Sequence, residues 1–179
     1  MNEYLEYIRE LAKDNTNSVF FNSSSKHASM VLGTMFEFAS KEIKVYSGNL
    51  CDEVTNNDIF KKGLEKFLKG GGIIKILVQK SKMQTLKQEP AIFNLLRYYA
   101  TINPKQVSIK QHDLRIKYGL SDKEAHFTTA DGKMYRIEDD IDKYTATGNF
   151  NDTITASVLN NLFDNVEKEA VDYSLSKRA

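Results

Sequence analysis

The segment Ile73–Val78 reads Ile-Ile-Lys-Ile-Leu-Val and constrains the fold more than any other stretch of the chain. It is almost continuously apolar and rich in β-branched residues. A strand with one wet face alternates polar and apolar side chains, whereas a strand covered on both faces does not. Three glycines, Gly70 to Gly72, precede it and are typical of a helix end. The segment therefore predicts a central strand with helices above and below the sheet.

Further elements surround this strand in a regular order. Alternating patterns at 42–48 and 107–111 predict two more strands, and helical patterns at 57–69 and 90–100 lie between the three. Crossovers of this length favour parallel pairing. Two earlier helices are expected at 4–12 and 25–40, with 19–21 as a short strand or buried turn. The basic run 80–87 is expected to be a solvated loop, with a nucleic-acid groove as the second interpretation.

The last third of the chain changes character. Strands are predicted at 124–130, 134–138 and 144–150, and Asp131-Gly132 is typical of a tight hairpin turn between the first two. Asn151 or Asp152 then begins a closing helix. The predicted fold class is α/β, with a mixed, largely parallel sheet flanked by helices, a C-terminal hairpin and a closing helix.

Length and charge narrow the class of protein. The 179 residues fit one domain, 1–179, with 1–24 as an N-terminal helix and lead-in and 25–170 as the core. The net charge of +1 gives no overall field toward nucleic acid or membrane. Cys51 is the single cysteine, which suits a reducing compartment, so we expect a cytoplasmic location. Neither secretion nor membrane insertion is expected, and no metal or cofactor is predicted.

Two polar stretches stand out. The first is Glu124-Ala-His-Phe-Thr-Thr-Ala-Asp-Gly132, and the second is Ala146-Thr-Gly-Asn-Phe150. They resemble the phospholipase D superfamily, whose signature is His-x-Lys, four residues and Asp, followed by Gly-Ser-x-Asn-Phe on the next strand. Without a gap, Glu124 stands at the histidine position, His126 at the lysine and Asp131 at the aspartate. Thr147 and Asn149 then stand at the serine and asparagine, although the intervening acidic segment 136–143 is longer than in the family.

The resemblance, which covers 25–170, implies a phospholipase D-like fold and a homodimer, since members with one signature per chain commonly build one site from two chains. In the family a histidine attacks the phosphodiester while lysine and asparagine neutralise the phosphoryl oxygens. A glutamate at the nucleophile position repels phosphate. We therefore expect an inactive or weak domain that binds a phosphate-bearing ligand, a nucleic acid or a protein partner. Its candidate catalytic residues are His126, Glu124 and Asn149, and its candidate ligand-binding residues are Thr147, Asn149, Asp131 and Asn49.

Two other functions stay open. In a shifted alignment His126 is the nucleophile, Thr128 replaces the lysine, and Lys133 or Lys110 supplies the cation of an active, metal-independent phosphodiesterase or nuclease. Alternatively, the chain is a structural or regulatory module whose acidic hairpin 136–143 contacts a partner. Each residue also has a structural interpretation: Glu124 and His126 as a polar pair at the hairpin edge, Asp131 as a turn residue, and Asn149 as support for the last helix. Both site hypotheses predict that Glu124, His126, Thr147 and Asn149 lie close together at the strand ends.

Overall fold

The computed structural model describes residues 2–117 and 124–175, which form one eight-stranded sheet in the order β1-β7-β6-β5-β2-β3-β4-β8. Its strands are β1 (Phe20–Ser23), β2 (Glu42–Ser47), β3 (Ile73–Gln79), β4 (Val107–His112), β5 (Phe127–Ala130), β6 (Met134–Asp140), β7 (Thr145–Asn149) and β8 (Val171–Asp172). The helices are α1 (Glu3–Lys13), α2 (Ser25–Phe38), α3 (Asp52–Thr55), α4 (Asp58–Lys69), α5 (Lys80–Gln84), α6 (Ile92–Ile102) and α7 (Thr153–Glu169).

The middle of the sheet has the predicted parallel order. β2 pairs with β3 and β3 pairs with β4 in parallel, and the crossovers contain α4 and α6. The other pairings between the described strands are antiparallel, including β2 with β5 and the β5-β6-β7-β1 series. The mixed α/β sheet flanked by helices is therefore confirmed, although its parallel part is limited to three strands.

The sheet separates two apolar layers, as the central strand predicts. On one face α7 contributes Leu159, Phe163 and Val166, which pack with Tyr46 and Leu77 of the sheet. On the other face the core includes side chains from α1, α2, α4 and α6. In β3, Leu77 belongs to the first layer, while Ile74, Ile76 and Val78 belong to the second. β3 is thus covered on both sides, which explains its nearly uninterrupted apolar sequence.

The turn between β5 and β6 forms where the Asp131-Gly132 pair predicts it. Both residues have positive φ, 52° and 69°, as the two central residues of a type I′ turn require, and the pairing of Ala130 with Met134 leaves a three-residue loop, 131–133. The backbone N–H of Lys133 donates to the carbonyl oxygen of Ala130 at 3.1 Å and closes the turn. The hairpin is therefore confirmed, and its register is fixed by the turn.

Two local predictions are wrong. The run 80–87 begins with the short helix α5, because Met83 is buried and anchors one helical turn. β5 starts only at Phe127, and Glu124 instead forms an isolated antiparallel bridge with Lys117. The acidic segment 136–143 contains the last five residues of β6, 136–140, and the start of the turn that leads to β7.

Candidate functional site

His126 lies directly before β5, beside the carboxyl end of β2. Its carbonyl oxygen accepts a 2.8 Å hydrogen bond from the backbone N–H of Glu138, which continues the β5–β6 pairing. Phe127 lies opposite Tyr46 in the antiparallel β5–β2 pair, so His126 comes next to the residues that follow Tyr46. One of these is Gly48, where an added Cβ would lie 3.2 Å from His126 Cε1. The imidazole therefore fits because this position has no side chain.

The two ring nitrogens of His126 face two carboxylates. Nδ1 lies 3.2 Å from Glu138 Oε2, and Nε2 lies 3.7 Å from Glu124 Oε1. Nε2 is buried and has no hydrogen-bond partner among the described residues. Only 13% of the His126 side chain is exposed. The ring is thus enclosed by its own protein rather than presented to solvent.

The charges in this cluster stabilise one another. Burial alone would lower the pKa of His126, but the adjacent Glu124 and Glu138 carboxylates outweigh it and raise that pKa. Burial would likewise raise the pKa values of both carboxyl groups, yet contact with His126 keeps each below its usual value. For Glu138 the Arg136 guanidinium acts in the same direction. The favoured state is an imidazolium between two carboxylates.

A polar network links this cluster to the edge of the sheet. Arg136 donates from Nη1 to Glu138 Oε1 at 3.0 Å and from Nε to Asn22 Oδ1 at 2.9 Å. Asn22 Nδ2 donates to the carbonyl oxygen of Tyr144 at 2.5 Å, and the Tyr144 hydroxyl donates to Glu53 Oε2 at 2.7 Å. Arg136 Nη2 has no hydrogen-bond partner among the described residues. The network joins β6, β1, the β6–β7 turn and α3.

Glu124 also contacts Tyr46. The Tyr46 hydroxyl is 3.0 Å from the Leu114 carbonyl oxygen and 3.4 Å from Glu124 Oε1, and it accepts a 3.0 Å hydrogen bond from the backbone N–H of Ile116. Since a phenol has one proton, the shorter contact with Leu114 is the better hydrogen bond. Burial is the main cause of the raised pKa of Tyr46. Tyr46 therefore fixes the 114–116 segment beside the cluster.

A cavity of about 290 Å³ extends from this cluster between the sheet and helices α2, α3, α4 and α6. We call it the sheet–helix cavity. Its partly exposed residues Ser47, Asn49, Ile141 and Tyr144, with exposed Asp142, mark the mouth. Its walls are apolar side chains, among them Leu32, Phe36, Val45, Val54, Phe60, Leu64 and Ile76, and its polar side is formed by His126, Thr128, Arg136 and Glu138. Asn49, one of the predicted ligand-binding residues, therefore lines the same cavity as His126.

Thr147 and Asn149 lie on the other face of the sheet. Asn149 is opposite Tyr135, and Tyr135 is opposite Thr129, whose hydroxyl donates to Asn160 of α7 at 2.6 Å. Directly opposite residues in antiparallel strands share a face, so Asn149 faces the α7 side. Thr147 shares that face, because it is two positions from Asn149 along the strand and alternate residues point to the same side.

His126 and Glu138 belong to the opposite face, since Glu138 is opposite Ala146, an alternate residue of β7. Asn149 is also displaced by about three residues along the strands, or roughly 10 Å. The predicted cluster of Glu124, His126, Thr147 and Asn149 is therefore wrong for its last two members. The sequence match did not reveal this, because Ala146–Phe150 occupies a third strand, one place farther from β5.

Asn149 and Asp131 make contacts that support the structure. Asn149 donates from Nδ2 to Asn17 Oδ1 and accepts from the backbone N–H of Asn151, both at 2.8 Å. Asp131 accepts from the backbone N–H groups of Ser40, Lys41 and Glu42 at 2.8 to 3.1 Å and lies at the turn end of the hairpin. Thr147 donates to Asp139 at 2.9 Å. These three residues do not join His126.

The lysines proposed to complete the site also lie elsewhere. Lys133 follows the hairpin turn and donates to Asn15. Lys110 is on β4, three strand spacings from β5, or about 14 Å, and pairs with Glu167 of α7 at 3.9 Å. A cation that does lie near His126 is Lys82 of α5, from the basic run 80–87: its side chain passes Gly48, beside His126, and its charge helps to lower the pKa of Glu124.

Sequence reasoning missed Arg136, Glu138 and Asn22. The signal available in the sequence was the alternation of Met134, Arg136 and Glu138 along a strand, which places two charged side chains on a buried face. Paired opposite charges at such positions indicate a buried polar network, because unpaired charges are too costly to bury. Interpreting 136–143 as an acidic hairpin extension obscures this alternation.

Comparison with known structures identifies the fold. The chain superposes on Nuc from Salmonella typhimurium, a phospholipase D family member, with a TM-score of 0.59 and 12% identity over 87% of this chain and 97% of that one. For NucT from Helicobacter pylori the values are 0.59, 13%, 88% and 99%. The fold is therefore phospholipase D-like, as the signature stretches predict.

A third similar structure is the archaeal chromatin protein TrmBL2, with a TM-score of 0.62 and 17% identity. The match covers 96% of this chain, which spans only 60% of the TrmBL2 chain. No protein-family model and no curated protein matches the sequence. In the part of the chain that the structure describes, no helix is long and apolar enough to cross a membrane.

Proposed function

We propose that this chain is a non-catalytic phospholipase D-like domain that binds a phosphate-bearing ligand, with nucleic acid as the ligand class. The observation that carries the proposal is the enclosure of His126 between Glu124 and Glu138. A nucleophilic histidine needs an exposed, unprotonated nitrogen and cationic neighbours that attract phosphate. Here Nε2 is buried, and both carboxylates favour the protonated ring.

Phosphate binding is supported by the rim of the site rather than by its centre. Lys82 and Arg115 are both exposed, and the charge of each acts on Glu124. Such side chains contact phosphates without reading a base sequence. TrmBL2 binds DNA in a mode described as novel, and the same fold supports DNA binding here. The overall charge of +1 predicts that binding depends on this local pair.

The absence of catalysis is tested by metal-free hydrolysis of bis(p-nitrophenyl) phosphate and single-stranded DNA in EDTA. The parent protein and His126→Ala should both be inactive. Activity in the parent that is lost in His126→Ala would establish the alternative function, a phosphodiesterase with His126 as nucleophile. Lys82 is the lysine that this alternative would use, because Lys110 and Lys133 do not reach His126.

Nucleic-acid binding is tested by fluorescence anisotropy with a labelled duplex at several salt concentrations. Lys82→Glu/Arg115→Glu should weaken binding at least tenfold and reduce the slope of log affinity against log salt by about 2, since each lost phosphate contact removes about 0.9. The matched control is Lys41→Glu/Lys105→Glu, with the same charge change next to the amino ends of β2 and β4. Equal loss in both variants would contradict a rim site.

The homodimer in this proposal rests on the resemblance, and the cytoplasmic location rests on Cys51 being the single cysteine. The homodimer is tested by light scattering, where a monomer at all concentrations would exclude it. The cytoplasmic location is tested by fractionation of the source cells.

The acidic segment 136–143 as a partner contact is a separate candidate: charge reversal at Asp139, Asp140 and Asp142 should weaken capture of a verified partner. Unchanged capture would remove this candidate.

A further inference from the structure

The sheet–helix cavity has the size and composition of a binding site for a small molecule. Protein interiors have few voids larger than a water molecule, whereas ligand pockets are about 300 to 1,000 Å³ and mostly apolar with a few polar groups. The cavity, of about 290 Å³, is at the lower limit of that range. At about 30 Å³ per water molecule in the liquid, it accommodates roughly ten non-hydrogen atoms.

Three polar side chains in its lining are available for hydrogen bonds to a ligand. Ser47, Asn49 and Thr128 line the cavity, and their side chains make no hydrogen bond to the residues that the structure describes. Thr128 is 4% exposed and lies opposite Val45 and Arg136, so it points to the cavity side of the sheet. The buried lining atoms without a hydrogen-bond partner among the described residues are Arg136 Nη2 and His126 Nε2, and such groups are unfavourable unless a ligand or water satisfies them. Together with the three side chains, these groups offer donors and acceptors to a hydroxyl or carbonyl.

The charged groups nearby argue against an ionic occupant. Arg136 and the protonated His126 are balanced by Glu138 and Glu124, with which they are paired. An anion would meet Asp142 at the mouth, and a cation would meet Arg136 and His126 inside. Either ion would also lose its hydration against apolar walls, which is costly without a free partner of opposite charge.

We propose that the sheet–helix cavity binds an uncharged amphipathic molecule of about ten non-hydrogen atoms, with a hydrocarbon body and a hydroxyl or carbonyl group. The body lies against Val45, Leu32 and Ile76, and the polar group meets Thr128 and Asn49. This inference goes beyond the proposed phosphate binding and does not require it, because neither Lys82 nor Arg115 is among the residues that line the cavity.

The test uses three probes with the same eight-carbon body: 1-octanol, octanoate and octylamine. Each is titrated into the isotopically labelled full chain and followed by amide and methyl NMR. 1-Octanol should shift Val45, Leu32 and Thr128 resonances saturably and bind at least tenfold more tightly than either ion. No saturable shift with any probe, or equal affinity for an ion, would overturn the proposal.

Two variants locate the site. Thr128→Val keeps the shape of the side chain and removes its hydroxyl, and it should weaken 1-octanol binding three- to tenfold. Val54→Phe fills the α3 side of the cavity and should abolish binding, provided that its spectrum remains that of a folded protein. The matched control is Thr147→Val, the same change on the α7 face, which should leave 1-octanol affinity unchanged. Parent-like affinity in Thr128→Val, or an equal loss in the control, would contradict the site even if Val54→Phe does not fold.

Discussion

His126 and Glu138 are joined twice, by a 2.8 Å backbone hydrogen bond and by a 3.2 Å contact between Nδ1 and Oε2. The backbone bond follows from the β5–β6 register, so the pairing of the two side chains is a direct result of the hairpin. Glu124 contacts the other ring nitrogen. Two carboxylates around one histidine give the domain a pH-dependent contribution to stability.

The sign of that contribution follows from the pKa directions. Because folding raises the pKa of His126, its contribution is fully present below the unfolded pKa of about 6.5 and is lost as the pH rises through the folded pKa. Folding lowers the pKa values of Glu124 and Glu138, so their contribution is present above about 4.3 and is lost as the pH falls through the folded values. The cluster stabilises most between these limits.

We predict that His126→Gln removes the part of this pH dependence that lies above pH 6.5. In the parent protein the free energy of unfolding by urea should fall from pH 6.5 to 8.5 more steeply than in the variant. His112, whose pKa burial lowers, changes its contribution below pH 6.5 and leaves this comparison unaffected. His27→Gln is the control and should keep the parent slope. Identical slopes in the parent and His126→Gln would contradict the prediction.

We predict that the Asp131 carboxylate supports the start of β2. Asp131→Gly keeps the positive φ but removes the hydrogen bonds from Ser40, Lys41 and Glu42, so it should lower the free energy of unfolding by about 2 kcal/mol. Asp131→Asn retains a neutral acceptor and should lose about half as much. Chemical denaturation measures both values. A change below about 0.5 kcal/mol in Asp131→Gly would place Asp131 among ordinary surface residues.

We predict that Asn149 acts in stability and not in ligand binding. Asn149→Ala removes hydrogen bonds to Asn17 and Asn151 from a buried position and should cost about 2 kcal/mol. Duplex DNA affinity at a temperature where the variant is folded should match that of the parent. Asn49→Ala is the control, with little effect on stability. Loss of DNA binding in folded Asn149→Ala would contradict the prediction and show that Asn149 takes part in ligand binding.

The sequence predicts the fold better than the site, and the reason lies in what each depends on. Apolar periodicity indicates which residues are buried, so β3 and the helices around it were predictable. The turn was predictable for a different reason, because Asp-Gly is a preferred pair in tight hairpin turns. The site depends on which face of the sheet each side chain points to and on the order of the strands in the sheet. The match of Ala146–Phe150 to a family stretch carried no information on whether β7 is next to β5, nor on which face Asn149 points to.

Contacts between distant segments were the other part that could not be predicted. Arg136 meets Asn22 across 114 residues of sequence, and Lys82 approaches His126 only because α5 follows β3 directly. The short helix α5 depends on the burial of Met83 rather than on a strong helical pattern. Tertiary packing determines such features, and local propensity is a weak guide to them.

The close contact of α2 and α4 leads to the last prediction. An added Cβ at Gly63 would lie 2.2 Å from the carbonyl oxygen of Gly33, so Gly63→Ala must separate the two helices. Overpacking of this kind costs about 1 to 3 kcal/mol, and backbone against backbone gives the upper end.

The matched control for this contact is Gly70→Ala, at the end of the same helix. There the nearest atoms are 3.4 Å away and φ is −73°, which alanine adopts without strain. Gly70→Ala should be neutral or stabilise by up to about 1 kcal/mol, because it reduces the conformational entropy of the unfolded chain. Thermal and urea denaturation of both variants measure the difference. Equal stability of Gly63→Ala and Gly70→Ala would mean that α2 and α4 do not pack through Gly33 and Gly63.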